Sequence, residues 1–144
     1  MPVSAASVTT GTPVVNVLFI EDDAMNRRVV RDMLRVAGAS MDEAENAEQG
    51  LARIDTGDYH IVLIDLRMPG MDGITAIGHI RARSDTRATV PIIVVTADTA
   101  IDLRQRCLAA GADDVIFKPV AMDDLFDSMG RVLARGAADG ASIT

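Results

Sequence analysis

The amino-acid sequence predicts an α/β fold, a doubly wound three-layer sandwich built on a parallel sheet. Short runs rich in β-branched residues alternate with longer stretches of helical period. Two of the runs, IVLID at 61–65 and PIIVVT at 91–96, are continuously apolar, as strands are when helices cover both faces of a sheet. The length of 144 residues suits one compact domain and leaves no room for a second core.

Each element follows from local pattern. VVNVLFI at 14–20 reads as the first strand. In 24–37, Val29, Val30, Met33, Leu34 and Ala37 make one apolar stripe at helical spacing, and Gly38 stops the helix. Ser40–Ala44 is the second strand and 46–55 the second helix. After the third strand at 61–65, a helix is predicted over 74–83, where Gly78 costs about 1 kcal/mol relative to Ala. The fourth strand at 91–96 is followed by a helix over 100–110. Gly111 then turns the chain into a fifth strand at Val115–Phe117. In 122–135, Leu125, Phe126, Met129, Val132 and Leu133 form a second clear stripe, and Asp123 and Asp124 sit in the first turn, where the helix dipole favours acids. Residues 1–13 and 136–144 are small and polar, too poor in apolar surface to offset their ordering entropy, so they are expected to be flexible tails around a domain at 14–135.

Composition narrows the function. Hydrophobic residues are 49% and charged residues 24%, a globular balance, while aromatics are only 3%, so the core must be aliphatic. A net charge of −7 and a pI near 4.6 repel a phosphate backbone, which argues against direct nucleic-acid binding. Cys107 is the only cysteine, which excludes an internal disulfide and a cysteine-based zinc site; its expected place is a buried helix position. The N-terminus lacks a signal-peptide pattern and no run approaches the ~20 apolar residues of a membrane span. The expectation is a cytoplasmic protein without membrane contact.

Parallel crossovers are right-handed, and ligands of such sheets sit beyond the carboxyl ends of the strands, where the strand order reverses. The first strand is followed by Glu21, Asp22 and Asp23, the third by Asp65, Arg67 and Met68-Pro69-Gly70, the fourth by Thr96 and Ala97, the fifth by Lys118 and Pro119. Carboxylates converging from Glu21, Asp22 and Asp65 would repel one another unless a cation were present. Oxygen donors of that kind suit Mg2+ or Mn2+ rather than zinc. With such a cation, Asp65 is equipped to attack phosphorus, Lys118 to neutralise the phosphoryl oxygens and Thr96 to donate a hydrogen bond. Each group alone is ordinary, but their joint placement at four strand ends points to chemistry.

VLFIEDD, VLIDLRMPGMDG, IIVVTA and FKP occur in that order, and across 16–135 the chain resembles the receiver domain of bacterial two-component response regulators. The resemblance implies a flavodoxin-like (βα)5 fold with sheet order 2-1-3-4-5. It makes Asp65 the phosphoacceptor, Asp22 a direct metal ligand, Glu21 a ligand through water and the Arg67 backbone carbonyl the third protein ligand, for Mg2+ or in its stead Mn2+. Thr96 becomes the switch hydroxyl and Lys118 the phosphate-sensing lysine; Met68, Pro69 and Gly73 shape the loop, and Pro119 is structural. The implied donor is a sensor histidine kinase or a histidine phosphotransfer protein, and the implied output is contact with a downstream protein, the domain acting as a monomer or weak dimer. Such a domain is a regulatory phosphoacceptor that promotes only its own phosphorylation and dephosphorylation. DDAMNRR also resembles receivers attached to hybrid kinases, whereas the Met1 start and the tails favour a protein acting alone.

Other functions fit less well. A phosphatase or phosphotransferase working through an aspartyl phosphate would want an acid two residues after Asp65, where Arg67 stands. A flavin or nucleotide binder would want a Gly/Ser/Thr loop after the first strand instead of EDDAMN. An adaptor that is never phosphorylated would not need every site position. The family often has an aromatic residue three positions before the lysine; here it is Val115, which has no ring to turn inward, and Phe117 is expected in packing. Arg67 and Asp98 are placed to face each other over Asp65, where an ion pair would cover an acyl phosphate. His60 and His79 lie at no carboxyl strand end, and Met68, Met71 and Met122 are expected as gap-fillers.

Overall fold

The computed structural model describes residues 14–143, with 136–143 given by their backbone alone. The predicted tail at 1–13 lies outside the described residues. Five strands, β1 (Asn16–Ile20), β2 (Ser40–Ala44), β3 (Ile61–Ile64), β4 (Ile92–Thr96) and β5 (Asp114–Phe117), alternate with five helices. These are α1 (Ala24–Val36), α2 (Ala47–Thr56), α3 (Gly73–Arg81), α4 (Leu103–Ala110) and α5 (Met122–Ile143). All strand pairs are parallel and the order is β2-β1-β3-β4-β5, so the chain reverses its direction of travel between β1 and β3.

Strand alternation splits the core into two layers. Leu18, Ile20, Val62, Ile64, Ile92 and Val94 face α2, α3 and α4, packing on Ile54, Ile77, Ile80, Leu103 and Cys107. Val17, Phe19, Ile61, Leu63, Ile93 and Val95 face α1 and α5, packing on Val30, Leu34, Leu125, Met129 and Val132. Each fully buried aliphatic side chain contributes roughly 1.5–3 kcal/mol, and cover on both faces is what continuous apolar strands require.

Helix starts are set by side chains. Asp23, Asn46 and Asp72 accept hydrogen bonds from backbone N–H groups in the first turns of α1, α2 and α3. Gly38 and Gly111 end α1 and α4 with φ of +76° and +120°, the left-handed region where glycine alone is unstrained.

Several sequence expectations need correction. β1 begins at Asn16 rather than 14, and α4 at Leu103 rather than 100, the polar stretch before it remaining a turn. A 3-10 turn at Thr86–Thr89, started by Asp85, has no counterpart in the apolar pattern. The backbone of α5 continues to Ile143 rather than ending at 135; no proline interrupts GAADGAS. Val29 is 42% exposed because α1 presents Val30 and Leu34 to the sheet, a hundred degrees away around the helix. Phe117 is 45% exposed rather than packed, being the last residue of an edge strand. Among the described residues, no helix is long and apolar enough to cross a membrane.

Candidate functional site

The crevice beyond the ends of β1 and β3 gathers the acidic residues. The sheet ladder continues one bond past each strand: the Glu21 N–H donates to the Ala44 carbonyl at 2.9 Å, and the Asp65 N–H to the Ile20 carbonyl at 3.0 Å. Fixed in this way, Glu21, Asp22 and Asp65 each place one carboxylate oxygen within 4.8 Å of the others. Glu21 and Asp65 are buried, at 1% and 5% exposure, whereas Asp22 is open to solvent.

Lys118 enters from β5. Its Nζ donates to Glu21 Oε1 at 2.8 Å and to Asp65 Oδ2 at 3.2 Å. The second oxygen of Asp65 accepts the Arg67 N–H at 3.3 Å, and that of Glu21 accepts the Asp23 N–H at 3.2 Å. Burial pushes the Glu21 carboxyl up to about 7; the hydrogen bond from Lys118 only partly opposes this, and the nearby Asp65 charge reinforces it. Burial works to lower the Lys118 ammonium, but its bonds to Glu21 and Asp65 outweigh it and hold the group above the ordinary lysine range.

Three carboxylates face one ammonium, so the cluster carries excess negative charge in a partly desolvated place. An all-oxygen donor set with one solvent-open member fits a hard divalent cation that keeps several waters, such as Mg2+ or Mn2+. A soft or nitrogen-preferring metal has no ligand here.

The structure places the remaining predicted residues variously. Thr96 is buried at the end of β4, and its Oγ1 accepts the Asp98 N–H at 3.1 Å. Among the described residues no hydrogen bond ties it to the acids. The Arg67 side chain turns outward and donates to Asp98 Oδ2 at 2.8 Å, the pairing that the spacing predicts. Val115 is buried, as a valine in the aromatic position would be. Gly73 lets α3 start against the loop: a Cβ there would lie 2.6 Å from the Asp65 carbonyl oxygen and 2.8 Å from Leu66 Cα. His60 and His79 are exposed and away from the cluster, His60 Nδ1 accepting the Asn16 N–H at the opposite edge.

Two polar groupings escape sequence reading. Arg27 donates to the Glu21 carbonyl and to Glu43. Asp114, buried at the start of β5, accepts from Ser128, Arg131, Arg104 and the Val115 N–H. Most of these partners sit on neighbouring but separate elements, whose packing no spacing rule within one element gives; the only signal is that Arg27 falls within DDAMNRR.

Comparison with known proteins agrees with this geometry. The family model described as "Response regulator receiver domain" matches residues 17–129. The sensor histidine kinase AruS of Pseudomonas aeruginosa is 37% identical over 130 residues, 89% of this chain and 12% of that protein. The chain spans from 3% to 47% of the length of the curated relatives compared. A CheY-like receiver domain protein from Methanospirillum hungatei superimposes with a TM-score of 0.80 at 25% identity, covering 88% of this chain and 99% of that one. The receiver domain of sensor histidine kinase PA1611 from Pseudomonas aeruginosa, with a magnesium ion coordinated in its active-site cleft, gives 0.77 at 30% identity, covering 85% and 99%.

Proposed function

The chain belongs to the response regulator receiver domain family, and from that premise we propose that Asp65 accepts a phosphoryl group from a phosphohistidine, switching the protein's contacts with a partner. The observation that carries this reading is the convergence of Glu21, Asp22 and Asp65 on one another beyond the β1 and β3 ends, with Lys118 bonded to Glu21 and Asp65. Mg2+, or Mn2+ in its place, would be held by Glu21, Asp22, Asp65 and the Arg67 backbone carbonyl, and would supply charge neutralisation on the phosphoryl oxygens.

The chain's own groups divide the rest of the work. A carboxylate oxygen of Asp65 forms the new O–P bond while the P–N bond to the donor imidazole breaks, and the imidazole keeps the electron pair and takes a proton. Lys118 already spans Glu21 and Asp65, so its ammonium stands beside the new phosphoryl group and offsets its charge. The Thr96 hydroxyl accepts from Asp98 N–H, which leaves its own proton free to donate to a phosphoryl oxygen. Arg67 and Asp98 stand two residues beyond Asp65 and Thr96 and form an ion pair, which would hinder the approach of hydrolytic water. With Val115 buried, no ring turns inward on β5; the signal leaves through Thr96 and the loop after it.

The donor in this reading is a sensor histidine kinase or a histidine phosphotransfer protein, the setting is the cytoplasm, and the receiver unit spans 14–135. The domain is a regulated acceptor that acts on no other substrate. Intact mass after incubation with acetyl phosphate and Mg2+ tests it: a gain of about 80 Da, one phosphoryl group, is expected in the wild type and not in Asp65→Asn. Equal gain in both would overturn the assignment.

A further inference from the structure

We propose that Arg27 is a positioning residue of the phosphoacceptor site, holding the Glu21–Asp22 peptide so that both carboxylates point into it. The proposal rests on the reading of the acidic cluster as a cation-dependent site. Glu21 is the first residue of β1's extension, and its two backbone groups are held from opposite sides. Its N–H donates to Ala44 of β2 at 2.9 Å. Its carbonyl, lying past the strand ladder, accepts from Arg27 Nη1 at 2.6 Å, its sole hydrogen-bond partner among the described residues.

The guanidinium is itself fixed. Arg27 Nε donates to Glu43 Oε1 at 2.6 Å, and the other oxygen of Glu43 takes Arg31. Glu43 belongs to β2 and lies opposite Phe19 of β1 in the sheet register, so the clamp is referenced to the sheet and not to a loop. The hydrogen bond from Arg27, with that from Arg31, holds the Glu43 carboxyl below the usual carboxylate range. The Arg27 side chain is only 11% exposed.

Because Glu43 neutralises it, Arg27 does little to offset the charge of the acidic cluster; its action is on geometry. The orientation of the 21–22 peptide sets ψ of Glu21 and φ of Asp22, so a change there that is not compensated re-aims the Asp22 side chain relative to Glu21. Displacements of about 1 Å at a reacting centre are costly, and residues that orient ligands typically govern metal affinity by 10–100-fold. Arginine's planar fork fixes the angle between its two acceptors, the carbonyl and the carboxylate, which the rotatable ammonium of a lysine does not. Arg31 provides a matched contrast, since it binds the same Glu43 but, among the described residues, makes no hydrogen bond to Glu21.

The test is the affinity of the full chain for Mn2+, read from the electron paramagnetic resonance of the free ion, in wild type, Arg27→Ala, Arg27→Lys and Arg31→Ala, with urea unfolding of each. Arg27→Ala is expected to bind Mn2+ about tenfold more weakly, Arg27→Lys to fall between it and wild type, and Arg31→Ala to stay within about twofold of wild type. Binding by Arg27→Ala within twofold of wild type would overturn the proposal. So would an equal loss in Arg31→Ala, which would mark the effect as general loosening around Glu43. If Arg27→Ala does not fold, Arg27→Lys against Arg31→Ala decides the same question. A wild type that binds no Mn2+ would instead overturn the reading of the cluster itself.

Discussion

Replacing Glu21 with Gln is expected to invert in its effect on stability as pH rises. Glu21 is 1% exposed and its carboxyl is pushed up to about 7 from an ordinary 4.5, chiefly by burial. Below pH 4.5 the group is protonated in both folded and unfolded chains, and its ionisation has no influence. Between 4.5 and 7 the folded protein keeps a proton that the unfolded chain has lost, so stability declines as pH rises; above 7 the full cost is present. At about 1.4 kcal/mol per tenfold change, that cost has an upper bound of roughly 3.5 kcal/mol, which solvent reaching the crevice lowers to about 3 kcal/mol. Gln is neutral at every pH but offers one acceptor where Glu21 uses two, toward Lys118 and the Asp23 N–H. The lost hydrogen bond costs about 1 kcal/mol. Glu21→Gln is therefore expected to be about 1 kcal/mol less stable than wild type at pH 4 and about 2 kcal/mol more stable at pH 8. Urea unfolding followed by circular dichroism, with chelator present, measures both. Saturating Mg2+ at pH 8 should reverse the order, since a ligand at a hundred times its Kd adds about 2.7 kcal/mol to the protein that binds it. A wild type and variant that differ by the same amount at pH 4 and pH 8 would refute the reasoning.

Other variants probe the frame around the acids. Gly73→Ala forces a Cβ against the Asp65 carbonyl and Leu66 Cα, backbone atoms that cannot yield; a loss of about 1–3 kcal/mol and slower phosphoryl uptake are expected from urea unfolding and mass spectrometry. Asp114→Ala strands Ser128 and the Val115 N–H and frees Arg104 and Arg131, with an expected loss of about 3 kcal/mol at neutral pH. Burial works to raise the Asp114 carboxyl, but its hydrogen bonds from Ser128, Arg131, Val115 and Arg104 prevail and hold it at about 2. That penalty therefore shrinks as pH falls from about 4 toward 2, which unfolding across that range reads directly. Arg67→Ala and Asp98→Ala are each expected to speed loss of the phosphoryl group, and the double variant no more than either alone; unchanged decay would show the ion pair to be inert.

Much of the fold is legible because the sequence repeats one physical message. IVLI and IIVVT are apolar on both faces, and the structure buries both. Gly38 and Gly111 announce the ends of α1 and α4 because their backbone must enter the left-handed region. Glu21, Asp65, Thr96 and Lys118 could be placed together because parallel strands deliver their C-terminal residues to one edge. Periodicity failed where an answer depended on neighbours. Val29 sits beside Val30 in sequence but a hundred degrees off the packed face. Phe117 shares its side of β5 with Val115, yet it ends an edge strand and finds no cover. The Arg27 to Glu43 clamp and the Asp114 cluster join charges from separate elements, and only the folded register brings them together.

The central claim is chemical and has a direct measurement. After loading with acetyl phosphate, reduction by borohydride converts an aspartyl phosphate to homoserine, and peptide sequencing by mass spectrometry locates it. Homoserine at position 65, lost on omission of Mg2+, is the predicted result. Homoserine at position 22, or a phosphoryl group resistant to reduction on a serine or threonine, would contradict it.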